Sequence, residues 1–186
     1  QKGTRPSFTL EQVEKIRGAI GKLPGADIIY CMIYTGYRPN ELLSLTRDSY
    51  HKEEDIEYLV GGFKTEAGSD RSVTISPKLR PVLLPRIMAA NPYLFTKEGG
   101  KKPMDDRYFR EEIFYPVLSA LGIQEIPDKD HPAYYVPYSC RHTFSTRAVR
   151  AGVNPQYLSR MMGHTDIKTA DKHYVHLDAE DILSEI

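Results

Sequence analysis

Apolar residues recur at helical spacing from the start of the chain. Val13, Ile16 and Ile20 follow a Thr9 and Gln12 pair spaced like a capping box, which predicts a first helix over about 10–21. "ADIIYCMIY", from Ala26, is apolar but for Asp27 and reads as a buried helix that Gly36 closes. Pro39 then suits the first turn of a short helix, "PNELLSL". After "RDSYHKEEDI" the period changes: "IEYLVGGFKT" and "RSVTIS" flank "EAGSD", whose Gly-Ser-Asp chemistry suits a hairpin turn, so a small antiparallel sheet is expected. The stretch 77–90 reads as helical despite Pro81 and Pro85, and "NPYLF" as a short strand or a loop. Over 104–121, Phe109, Ile113, Phe114 and Leu118 mark an amphipathic helix bent before Pro116. "GIQEIPDKDHPAYYVP" is a long loop. The chain turns helical again from Tyr138 to Gly152, then in "NPQYLSRMMG" with Asn154 as cap and Pro155 in the first turn, and once more near Asp166. The expected class is α+β, mostly helical with one small antiparallel sheet.

Composition narrows this. The 186 residues are 40% hydrophobic and 27% charged, as in a soluble globular chain. No apolar run approaches the ~20 residues of a membrane span, and no secretory signal precedes Pro6, so no membrane partner and a cytoplasmic location are expected. Cys31 and Cys140 match neither a zinc nor a disulfide framework and read as free thiols. The net charge of zero argues against nucleic-acid binding by overall basicity. Its distribution says more: Arg141, Arg147, Arg150, Arg160, Lys168 and Lys172 fall in 141–176 against only Asp166 and Asp171, with four of the six histidines. A locally basic face on a neutral protein is open.

Five positions carry candidate chemistry. Arg38 in "TGYRPNEL" opens a helix, where a cation opposes the macrodipole at a cost of up to ~1 kcal/mol unless an anion offsets it. Glu41 is a local candidate for that anion, and a phosphate shared with the helix terminus is the other. Lys64, near the hairpin tip, reads as solvated or as a site cation. Arg141 in "YSCRHTFSTRAVR" lies beside Cys140 and Phe144, which look core-facing, so its guanidinium needs a buried anion, either a ligand or Glu41. His164 in "MMGH" stands at a helix end as a cap or a catalyst. Tyr174, between His173 and His176, has a phenol whose ordinary pKa of about 10 makes it a poor nucleophile unless cations and a proton acceptor stand nearby.

Together "TGYRPNEL", "FKT", "SCRHTFST" and "MMGHTDIKTADKHYVH" resemble, in order and spacing from about Ser7 to His176, the catalytic domain of the tyrosine recombinases, the phage and transposon integrase family. The resemblance implies that family's DNA breaking-rejoining fold over 1–176. It implies a site-specific recombinase acting on double-stranded DNA, bacterial or phage-encoded, serving integration or excision of a mobile element. Arg38, Arg141 and His164 would surround the non-bridging oxygens of the scissile phosphate. Lys64 would protonate the leaving 5′ oxygen, and Tyr174 would attack phosphorus. Glu41 would orient the arginines, while Arg147, Lys168 and Lys172 would contact DNA. No metal and no cofactor is implied. Full-length relatives would assemble as tetramers on DNA, and the tail 177–186 would dock on a neighbouring protomer or in cis.

Two features depart from the family. Three residues before the second arginine, where histidine or lysine is usual, stands Tyr138, a weak base at neutral pH, so the role shrinks to hydrogen bonding or passes to His142. The family's N-terminal DNA-clasping domain is also missing from the sequence, so a fragment with weak, salt-dependent DNA binding is expected. Rival readings are a type IB topoisomerase-like relaxing enzyme, which shares the chemistry, and a catalytically weak DNA-binding relative, for which Tyr138 is the hint. A metal site at His164, His173 and His176 lacks supporting carboxylate or thiolate ligands.

Overall fold

The computed structural model describes residues 6–62, 71–97, 100–125 and 134–163. Helix α1 (Leu10–Gly18) starts at the expected capping box, Thr9 receiving the Gln12 N–H and Gln12 reaching back to the Thr9 N–H. It stops short of Gly21, where the chain turns at a φ of 80°. Helix α2 (Ala26–Thr35) is buried over nine of its ten residues, the exception being Asp27, as a segment apolar around most of its circumference must be. Gly36 ends it at a φ of 65°, and a Cβ there would come within 2.4 Å of the Phe144 ring. Only glycine meets both conditions, so α2 turns directly against the helix that carries Phe144.

Helix α3 (Pro39–Leu43) follows, then strands β1 (Tyr50–Glu53), β2 (Ile56–Gly61) and β3 (Arg71–Thr74), in one antiparallel sheet of order β1-β2-β3. Strand β1 was not expected: "YHKE" is an exposed polar edge, so no alternation betrays it, yet Tyr50 pairs with Leu59 and Glu53 with Ile56. Gly61 stands opposite Arg71 in the β2–β3 register, and a Cβ there would come within 2.4 Å of Leu45 Cδ2. The expected hairpin turn lies outside the described residues.

Helix α4 (Arg80–Met88) absorbs Pro81 in its first turn and Pro85 within, and Arg86 ties it to Asp27 of α2. "NPYLF" is a loop with one bridge, Tyr93 to Thr46. The expected helix over 104–121 forms as α5 (Asp106–Tyr108), a π-helical stretch over Phe109–Phe114, and α6 (Tyr115–Ala120). The π turn is how the chain accommodates Pro116 without a break. Helices α7 (Tyr138–Arg150) and α8 (Pro155–Met161) close the described chain, with Asn154 receiving the Gln156 N–H. Phe144, Ala148, Leu158 and Met162 pack α8 on α7. Ser7 and Phe8 bind Thr146 and Thr143, fastening the chain's start to α7. The helix expected near Asp166 and the tail boundary at His176 lie outside the described residues. Among those residues no helix is long and apolar enough to cross a membrane.

Candidate active site

The site grows from the turn after α2. Beyond Gly36 the backbone is extended at Arg38 and Pro39 starts α3, so Glu41 falls one turn on, facing back. Its Oε2 accepts the Arg38 backbone N–H at 2.8 Å and its Oε1 the Arg38 guanidinium at 2.8 Å. The carboxylate is 3% exposed, whereas the Arg38 side chain is half-exposed. The anion that Arg38 demanded at a helix start is therefore local.

Arg141 is 1% exposed, drawn inward because Cys140 and Phe144 beside it on α7 face the core. Its partners differ from the salt bridge with Glu41 that the sequence allowed. The guanidinium donates to the carbonyl of Gly36 at 2.6 Å and to that of Met162 just beyond α8. Glu41 instead pairs with Arg71, the first residue of β3, which the sequence reading passed over. Arg71 donates Nη2 to Glu41 and Nη1 to the Met161 carbonyl, 3.2 Å away, and lies 4.8 Å from the centroid of the Tyr37 ring. A sequence signal was there: Arg71 and Val73 of β3, then Ile75 just past it, alternate as buried positions, and a cation on an inward face needs an explanation.

The fields of these arginines overlap. Burial pushes the Arg141 pKa down, the Arg38 charge adds to that, and the Tyr138 hydroxyl opposes it. Burial, then the charges of Arg141 and Arg38, push Arg71 to about 10, so it stays protonated at neutral pH. Glu41 pairs with Arg38 and Arg71 but not with Arg141, so among the described residues three guanidiniums stand against one carboxylate. The Nε atoms of Arg71 and Arg141 are buried with no hydrogen-bond partner among the described residues. An unmade bond from a buried donor costs roughly 1–3 kcal/mol, more for a charged one. A surplus of positive charge with idle donors is an arrangement that an oxyanion relieves.

Tyr138 is 47% exposed at the start of α7. It also rims a cleft of about 650 Å³ between α3, α5 and α7, whose lining includes Pro39, Asp106, Arg110 and Glu111. That cleft mixes acid and base and excludes Arg71 and Arg141. His142, next to Arg141, is half-buried, about 100° further round α7. Arg147 lies 4.7 Å from the Tyr34 ring centroid and donates to the Tyr34 hydroxyl at 3.2 Å, a packing contact between α2 and α7. Lys64, His164, Lys168, Lys172 and Tyr174 lie outside the described residues. Among the described residues no group of three or more His, Cys, Asp or Glu side chains is placed to hold a metal ion.

Comparison with known proteins gives this geometry a context. The sequence pattern of the phage integrase family matches residues 7–181. The chain is 29% identical to tyrosine recombinase XerA of Saccharolobus solfataricus, over 94% of this chain and 53% of that protein. It is 34% identical to the transposase from transposon Tn916 of Enterococcus faecalis, over 86% of this chain and 44% of that one. The chain thus spans about half the length of these relatives. Among solved structures, the fold is similar to that of XerA recombinase, with a TM-score of 0.69 at 20% identity, covering 95% of this chain and 65% of that one. It is also similar to the Tn1549 transposon integrase in complex with circular intermediate DNA, with a TM-score of 0.68 at 20% identity, covering 93% and 64%. Matched along nearly all its length, the chain belongs to the phage integrase family, that of the tyrosine recombinases.

Proposed function

We propose that this chain is the catalytic unit of a site-specific recombinase that breaks and rejoins duplex DNA through a 3′-phosphotyrosyl link. The observation that carries the proposal is the surplus of guanidinium charge among the described residues, with Nε donors of Arg71 and Arg141 that have no partner there, beside the half-exposed Arg38. A phosphodiester brings one negative charge and two acceptor oxygens, matched to forked donors. The family's relatives named tyrosine recombinase and transposase support the same reading.

In this scheme the Tyr174 hydroxyl gives its proton to a base, for which His142 is the candidate, and its oxygen attacks phosphorus as the bond to the 5′ oxygen breaks, Lys64 giving that oxygen a proton. Arg38, Arg141 and His164 bind the non-bridging oxygens as charge builds in the transition state. The ester's energy stays in the protein–DNA bond, so the reverse attack by another 5′ hydroxyl reseals the strand and recombines it. The catalytic unit runs through 176. The following tail docks on a neighbouring protomer or in cis, and the target serves a mobile element.

The test uses a pool of nicked duplexes of randomised sequence, from which the short fragment on the 3′ side of the break, released with a free 5′ hydroxyl, diffuses away after cleavage. A covalent protein–DNA band that Tyr174→Phe abolishes is expected. A wild-type chain that traps none, or a Phe variant that still does, contradicts the scheme. With a duplex selected from that pool, Tyr138→Phe should slow cleavage by no more than about tenfold, the worth of one neutral hydrogen bond, and Tyr138→His should be tolerated. An unchanged rate for the Phe variant removes Tyr138 from the site.

A further inference from the structure

We propose that Arg71 is a positioning residue of the phosphate site, whose forked side chain fixes the end of α8 against Glu41. The inference rests on the functional reading above and assigns a role that none of the four recombinase motifs contains. Nη2 holds Glu41, and so indirectly Arg38, while Nη1 holds the Met161 carbonyl. Arg141 holds the next carbonyl, that of Met162, so two guanidiniums grip consecutive oxygens where α8 ends. Those oxygens carry the helix's partial negative charge, which suits cations.

Arg71 is itself held on both sides. Its guanidinium stacks on Tyr37, and the Tyr37 hydroxyl, 3.2 Å from the Arg71 and Leu59 carbonyls, ties that ring to the strand backbone. Gly163 closes against it: a Cβ there would come within 3.3 Å of Arg71 Nη1, and the residue has a φ of +61°. His164 is the next residue in the chain. Arg71 therefore sets the point from which the His164 segment departs, relative to the carboxylate that orients Arg38. Its two Nη atoms are committed to protein acceptors, and that two-ended bridge is the positioning role.

Lysine tests the fork. Arg71→Lys keeps the charge and can pair with Glu41, but one ammonium does not reproduce a rigid two-ended bridge. On the duplex selected above, at saturating DNA, the single-turnover rate of covalent-adduct formation should fall roughly ten- to a hundredfold, as misplaced catalytic groups do. The DNA dissociation constant and the urea midpoint should stay near wild type. A lysine variant that is stable and reacts at the wild-type rate overturns the proposal, because charge alone would then suffice.

Should the lysine variant fail to fold, Glu41→Gln is compared with Glu41→Gln/Arg71→Gln. Removing both charges of a buried pair is milder than removing one, so the double variant should be the more stable. It should nevertheless cleave more slowly than Glu41→Gln, having lost the hold on Met161. A purely structural role would move stability and rate in the same direction, and that outcome sinks the inference. A wild-type chain that forms no adduct refutes the functional reading instead.

Discussion

Arg141→Lys is expected to slow covalent-adduct formation by about 10²- to 10³-fold, the usual loss when a preorganised donor at a developing oxyanion is removed. The reason lies in what one guanidinium does here. Two of its nitrogens hold the carbonyls of Gly36 and Met162, which joins the end of α2 to the segment after α8, and its buried Nε has no hydrogen-bond partner among the described residues. In the proposed scheme the phosphate reaches that donor as DNA seats, while the carbonyls hold the plane of the group in place. An ammonium on a flexible stem satisfies one carbonyl or the phosphate, without the fork. The rate is read on a nicked duplex at saturating DNA, beside a urea unfolding curve that establishes the folded fraction. A folded lysine variant with the wild-type rate contradicts the role given to Arg141.

Glu41→Gln should destabilise the fold by about 3–5 kcal/mol, the cost of removing one partner from a buried ion pair. Against a typical total of about 5–15 kcal/mol this is large. Glu41 is the carboxylate that Arg38 and Arg71 share, and at 3% exposure water does not replace it. The glutamine side chain accepts hydrogen bonds but leaves the surrounding guanidiniums uncompensated. An added oxyanion should then stabilise the folded state by mass action. Sulfate should raise the thermal midpoint of Glu41→Gln more than that of the wild type, relative to chloride at equal ionic strength. A variant as stable as wild type and indifferent to sulfate would show that the cluster needs no anion.

Much of this site was legible in the sequence because each signal was local. Gly36, Arg38, Pro39 and Glu41 sit within one turn of a helix start, where capping and macrodipole physics dictate the contacts. Arg141 could be placed inside because its neighbours Cys140 and Phe144 are core residues at helical spacing. The partners of Arg141 were not legible. They are backbone carbonyls of two distant segments, and no side-chain pattern encodes a carbonyl. Arg71 was missed for a related reason: it opens a short strand, and its pairing with Glu41 spans thirty residues of sequence. The mostly helical fold with one small antiparallel sheet was readable from the change of period after α3. The polar edge strand β1 and the π turn before Pro116 were not, since neither leaves a mark in hydrophobic spacing.

The most direct test is a crystal structure of the chain grown with vanadate and a nicked duplex, in which vanadate takes the place of the scissile phosphate. One vanadium centre bonded to the Tyr174 oxygen, with Arg38 and Arg141 both donating to its equatorial oxygens, is the expected result. An anion held by only one of these arginines, or a Tyr174 hydroxyl directed away from it, would contradict the account.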